Sequence, residues 1–137
     1  MTTPVPEDLP HVLAAQSAIE ATGLAVYLGG APAGRALLPA TYVVLYPSPG
    51  IESAASLADD RTGLDLMLQA TAVATTPEGA IGTAGRVRRA VAGGLVVDGR
   101  VCWRPEALGG PPLQRDDDVT PPLWYLPMQY RIRSITA

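Results

Sequence analysis

The chain has 137 residues, 47% of them hydrophobic and 17% charged, with a formal net charge of −3 and a mean hydropathy of +0.18. That length suits one globular domain of the usual size, roughly 100–150 residues, and the apolar content excludes a disordered chain. The acidic balance argues against a dedicated nucleic-acid binder, whose phosphate contacts need a basic face, and a single cysteine, Cys102, with a single histidine, His11, excludes a disulfide framework, a cysteine-based zinc site and a histidine-rich metal centre. The first ten residues are acidic and proline-rich rather than basic and apolar, so no signal peptide is expected. No apolar run approaches the roughly 20 residues that span a bilayer. All ten positive charges are arginine, with no lysine. Codon bias in a GC-rich genome accounts for that, and so does a preference for planar, bidentate pairing across an interface.

The first predicted element is a helix over residues 9–22. Asp8 is its expected N-cap, Pro10 sits in the first turn, and Leu9, Val12, Leu13 and Ile19 supply an apolar stripe. Gly23 offers a C-terminal stop. Residues 24–28 read as a short strand closed by Gly29 and Gly30, and residues 41–46 (TYVVLY) as a β-branched, aromatic strand ended by Pro47. Residues 1–7 are expected to be flexible, and residues 48–62 to form a long loop.

The clearest strand signal follows. Leu64, Leu66, Leu68, Ala70 and Ala72 alternate with Asp65, Met67, Gln69, Thr71 and Val73, which predicts one covered face. Thr76, Pro77 and Glu78 then open a second helix as cap, first residue and dipole partner. Ile81, Ala84, Val87 and Val91 are expected to face the core, Arg86 and Arg89 to look outward. Gly79, Gly82 and Gly85 make a smooth side suited to a sheet or a neighbouring subunit. Residues 95–97 and 100–103, joined by Asp98 and Gly99, carry a hairpin signal. Residues 104–122 read as a second long loop. The last strand, 123–135, alternates Trp124, Leu126, Met128, Tyr130 and Ile132 with Tyr125, Pro127, Gln129, Arg131 and Arg133. Pro127 removes a ladder donor, so this strand is expected at an edge or a bulge. The order α-β-β-β-α-β-β-β implies an α+β fold, one mostly antiparallel sheet carrying two helices.

Catalytic constellations are weak. His11 lies in the first turn of an amphipathic helix, is expected to be exposed, and has no serine in a nucleophile-elbow context. Three consecutive aspartates, Asp116, Asp117 and Asp118, cannot all converge on one ion, and the alternating calcium-loop spacing is missing. A solvated loop or an ion-pairing patch suits them better than a metal. The glycine-rich stretch at 28–34 lacks the Gly-Lys-Ser/Thr ending and the spacing of a phosphate loop. Cys102, between Val101 and Trp103, reads as core. Arg86, Arg88 and Arg89 form the basic cluster, better suited to pairing with a neighbour than to nucleic acid.

The order of these pieces resembles a known family. VYLGGAP at 26–32, YVVLYP at 42–47, RVRRAV at 86–91 and RDDDVTPPLWY at 115–125, around the long alternating strand, are similar to the small tail terminator proteins of tailed phages and prophages of actinobacteria. The resemblance spans nearly the whole chain. It implies a non-enzymatic virion protein, assembled in the host cytoplasm, that forms a hexameric ring on the head-proximal end of the tail tube. There it would end polymerisation of the major tail protein and offer a docking face to a head-completion or connector protein. DNA would pass through the lumen without tight binding. No cofactor or metal is implied, and no membrane. Arg86, Arg89, Arg115, Asp116, Asp117 and Asp118 are the candidate subunit or partner contacts. Two other readings are a neighbouring neck or head-completion (stopper) protein and a small α+β enzyme or ligand-binding domain.

Overall fold

The computed structural model describes residues 5–33, 38–54 and 61–137. Along the chain it contains α1 (Asp8–Glu20), β1 (Ala25–Leu28), β2 (Thr41–Pro47), β3 (Ile51–Ser53), β4 (Gly63–Ala74), α2 (Pro77–Ala92), β5 (Arg100–Cys102), β6 (Glu106–Gly109), β7 (Gln114–Asp116) and β8 (Leu123–Thr136). The strands make one eight-stranded sheet with the order β1-β2-β4-β8-β5. β3 pairs with β4 beyond the end of β2, while β6 and β7 follow β5 along the far side of β8. β1 and β2 run parallel and the other pairings are antiparallel. The α+β class expected from the sequence is the one observed.

The alternation at 64–72 explains the core. Leu64, Leu66, Leu68, Ala70 and Ala72 are each 2% exposed or less, and their in-register partners on β8 include Tyr130 and Ile132, also buried. Val12, Ala15 and Ile19 of α1 and Ala84, Val87 and Val91 of α2 pack onto the same face, so both helices cover one side of the sheet. α2 begins as its sequence predicts. The Thr76 hydroxyl oxygen accepts a hydrogen bond from the Gly79 N–H at 3.0 Å, with Pro77 in the first turn. Gly79 lies close on the sheet, where a β-carbon would stand 3.1 Å from that of Ala74, whereas Gly82 faces open space. The three glycines therefore share no single contact. Replacing Thr76 by alanine leaves the Gly79 N–H without its cap and is expected to lower stability by about 1 kcal/mol, read from the urea midpoint at unchanged slope.

Several expectations are corrected. Glu7, not Asp8, is the α1 N-cap, without a side-chain cap bond; Asp8 instead accepts from the Gly50 N–H at 3.1 Å, which ties α1 to the turn after β2. Leu9, Leu13 and Ile81 are exposed, because each helix buries a narrower stripe than its apolar residues suggest. His11 is 1% exposed rather than solvent-facing. Residues 95–97 form no strand: Leu95 and Val97 are buried and Val96 is 92% exposed, so they alternate against the helices and not against a neighbouring strand. The following turn closes with the Arg100 N–H on the Val97 carbonyl at 3.1 Å and needs a positive φ only at Gly99 (72°), so it is not the two-residue hairpin turn expected. Within the two stretches read as long loops lie β3, β6 and β7; residues 55–60 of the first, and residues 1–4 of the expected flexible start, fall outside the described residues.

β8 is an interior strand, between β4 and the short strands β5, β6 and β7, and not an edge. Pro127 faces Thr71 of β4 on one side. On the other it falls between Gln129, the last partner of β6, and Tyr125, the first partner of β7. The missing donor thus coincides with a break between two short neighbours, which is how an interior strand tolerates proline.

Candidate interface surfaces

The three arginines of α2 lie outside its buried stripe but point in different directions. The Arg86 guanidinium donates to the carbonyl of Thr22, joining α2 to the end of α1. Arg86 is therefore an internal tie and only partly the outward group expected. Arg89, in the last turn of α2, is exposed and well placed to complement the negative end of the helix. Arg88 lies near Tyr130, whose phenol burial pushes up while the arginine charge opposes the shift.

The 115–118 segment is locally organised. Arg115 sits in β7, with its Nε 2.7 Å from Asp117 Oδ1 and its guanidinium 5.7 Å over the Trp124 ring. Asp116 Oδ1 accepts from the Asp118 N–H at 3.0 Å, a short turn closed by the side chain. The three carboxylates thus answer to different partners. The Arg115 and Asp117 side chains are 52% and 62% exposed. The candidate residues divide into two groups, Arg86 and Arg89 on α2, and Arg115 to Asp118 beside the start of β8. Among the described residues, no three His, Cys, Asp or Glu side chains are grouped to hold a metal ion. Cys102 is half-buried against the core, and burial pushes its thiol up.

The helix-free face of the sheet carries groups that sequence reasoning did not single out. At one end Tyr42, Val44 and Val73 are buried beneath Tyr27, Leu38, Leu123 and Tyr125, and the Tyr27 and Tyr42 rings meet edge to face at 5.7 Å. In the middle, Gln129 donates to Gln69 at 2.8 Å. At the other end Arg131 grips the Asp65 carboxylate through its Nε at 2.9 and 3.0 Å. That contact holds the Asp65 carboxyl below the usual carboxylate range. Arg133 lies 5.5 Å over the ring of Trp103, and exposed Ile51 and Val101 flank this end. The strand alternation places Asp65, Arg131 and Arg133 on the mixed faces of their strands. Which residues then meet depends on the β4–β8 register, and no local spacing encodes it.

The chain also holds a serine–histidine contact, Ser134 Oγ to His11 Nε2 at 2.7 Å. Both residues are 1% exposed, and the Ser134 oxygen takes hydrogen bonds from Arg100, so the hydroxyl is not presented to a substrate.

No family model matches the chain, and no curated protein does. Among solved structures, the chain is similar to one from the "Virion of native gene transfer agent (GTA) particle". That likeness has a TM-score of 0.65 at 18% sequence identity and covers 90% of this chain and 92% of the other, so the two share a fold over nearly their whole lengths.

Proposed function

We propose that this chain is a structural component of a phage-like virion and, within it, the tail terminator. The observation that carries the reading is the fold shared, over nearly the whole of both chains, with a chain of a gene transfer agent virion. The finer assignment rests on the resemblance of the segments at 26–32, 42–47, 86–91 and 115–125 to tail terminators. In this role the protein forms a homo-oligomeric ring, a hexamer, on the head-proximal end of the tail tube. One face stops addition of the major tail protein and the other receives a head-completion protein. The work is done by surfaces and not by catalysis. Duplex DNA passes through the ring without being held, in keeping with a net charge of −3. A repeated contact between two different patches of the same subunit closes a ring when the rotation closes. The exposed Arg89 and the outward carboxylates of Asp117 and Asp118 are charges that such a contact would pair.

Electron microscopy of particles carrying a labelled copy tests the proposal, together with particles made without the gene. The expected result is label at the junction of tube and neck, and tubes of uncontrolled length when the protein is absent. Label on the neck with tubes of normal length would assign the chain to a head-completion protein instead. Absence of the protein from purified particles overturns the virion reading altogether.

A further inference from the structure

His11 is the only histidine in the chain and one of its most deeply buried polar groups. Its Nδ1 lies 2.7 Å from the Glu7 carbonyl oxygen, which can only accept, so Nδ1 carries the hydrogen. Nε2 is then an acceptor and takes the hydroxyl hydrogen of Ser134 at 2.7 Å. The Ser134 oxygen in turn accepts from Arg100 Nε at 3.1 Å and Nη2 at 3.0 Å, and Nη2 also donates to the Ser134 carbonyl at 3.2 Å. Hydrogen bonds therefore run one way, from Arg100 on β5 through Ser134 on β8 to His11 and the Glu7 carbonyl at the start of α1. Three elements distant in sequence are joined by one polar chain.

We propose that this chain of hydrogen bonds is a proton-operated latch, which fastens the N-terminal turns of α1 to the sheet while His11 is neutral and releases them when His11 takes up a proton. An imidazolium has no acceptor left. Nε2 would point a hydrogen at an oxygen already receiving Arg100, the Ser134 hydrogen would lose its partner, and a second positive charge would sit near Arg100. The charged groups facing His11 are Arg100 from β5 and Asp8 from α1, with Glu7 at the start of α1 and Asp98 of the turn before β5 lining the same cleft. Asp8 favours the proton, but its carboxylate is engaged by the Gly50 N–H.

Burial, the largest influence, and Arg100 hold His11 below its ordinary value of 6.5, against the opposing effects of the Glu7 carbonyl and Asp8. Above pH 6.5 the imidazole is neutral whether the latch is open or closed, and its contribution is complete. As the pH falls below 6.5 the open form takes a proton first, so opening grows by about tenfold per pH unit until the pH passes the closed-state value.

With one histidine, a single pair of imidazole nitrogen signals reports the whole event. Nitrogen-15 NMR of the intact protein should show the Nδ1–H tautomer at neutral pH and a midpoint below 6.5. Hydrogen exchange, corrected for intrinsic rates, should show α1 opening by about tenfold per pH unit over that range, while the amides of the β4–β8 ladder stay protected. Arg100→Gln should move the midpoint upward, and His11→Gln should abolish the pH dependence of α1. An Nε2–H tautomer, a midpoint at or above 6.5, or pH-independent exchange of α1 in the wild-type chain overturns the proposal. So does an unchanged midpoint in Arg100→Gln, which keeps the test decisive if His11→Gln does not fold.

Discussion

Leu66→Ala and Ile132→Ala are each expected to lower stability by about 2–5 kcal/mol, the range for removing a large aliphatic side chain from a closed core. The two residues are direct partners across the central β4–β8 pair, 0% and 1% exposed, beneath the helices. Deleting either leaves a void that neighbours anchored in a two-sided ladder cannot collapse into. A domain stable by only about 5–15 kcal/mol is then close to unfolding with one substitution and largely unfolded with both. The double substitution should not be additive, because the second side chain is lost into a space already empty. Urea titration followed by circular dichroism measures all three. Asp65→Ala, one residue along β4 on the opposite face, is the control and should cost about 1 kcal/mol or less, as partly exposed ion pairs do. A loss below about 1 kcal/mol at Leu66 would mean that the β4–β8 face is not the principal core.

The second large effect concerns assembly. Replacing Asp116, Asp117 and Asp118 together by alanine removes the Arg115 ion pair and the short turn closed on the Asp118 N–H, both exposed. The expected change in monomer stability is about 1 kcal/mol. Under the tail-terminator reading, ring formation or tail joining should nevertheless fail. The loss should be all-or-none, since a closed ring repeats every defect at each junction. Melting of the purified protein and counts of infectious particles, taken side by side, separate the two effects. Normal infectivity would leave the segment as a solvated loop beside β7.

The parts of the fold that were legible share a physical property: their signal is carried by neighbours in the sequence. The alternation at 64–72 and the Thr76-Pro77 cap each encode their own geometry within a few residues, and both appear where the pattern puts them. β3, β6 and β7 did not. Strands of three or four residues such as IES, EALG and QRD have no period to detect and are held by the longer strand that they dock against. Pro127 misled for the same reason. Its effect on pairing depends on where β6 ends and β7 begins, on residues that lie outside its own strand. The buried His11 was hidden in another way: Ser134 lies 123 residues from it, and Arg100 comes from a third element. Arg86 and Arg89 do lie on one helix, as their spacing predicts, but the internal tie of Arg86 to Thr22 is a tertiary contact that spacing does not foretell.

The interior position of β8 has a consequence for synthesis. β8 follows every other element in the chain, yet it supplies the partner for β4, β5, β6 and β7. While the polypeptide is still emerging from the ribosome, β4 has β2 along one side and nothing along the other. Its 12-residue edge is then an open template, flanked by aliphatic side chains that the helices alone do not seal. The native sheet closes only after β8 has emerged, through contacts of high sequence separation, a topology that slows folding. Nascent chains are therefore open to association along β4 for as long as β8 has yet to emerge, and polysomes bring many such edges close together.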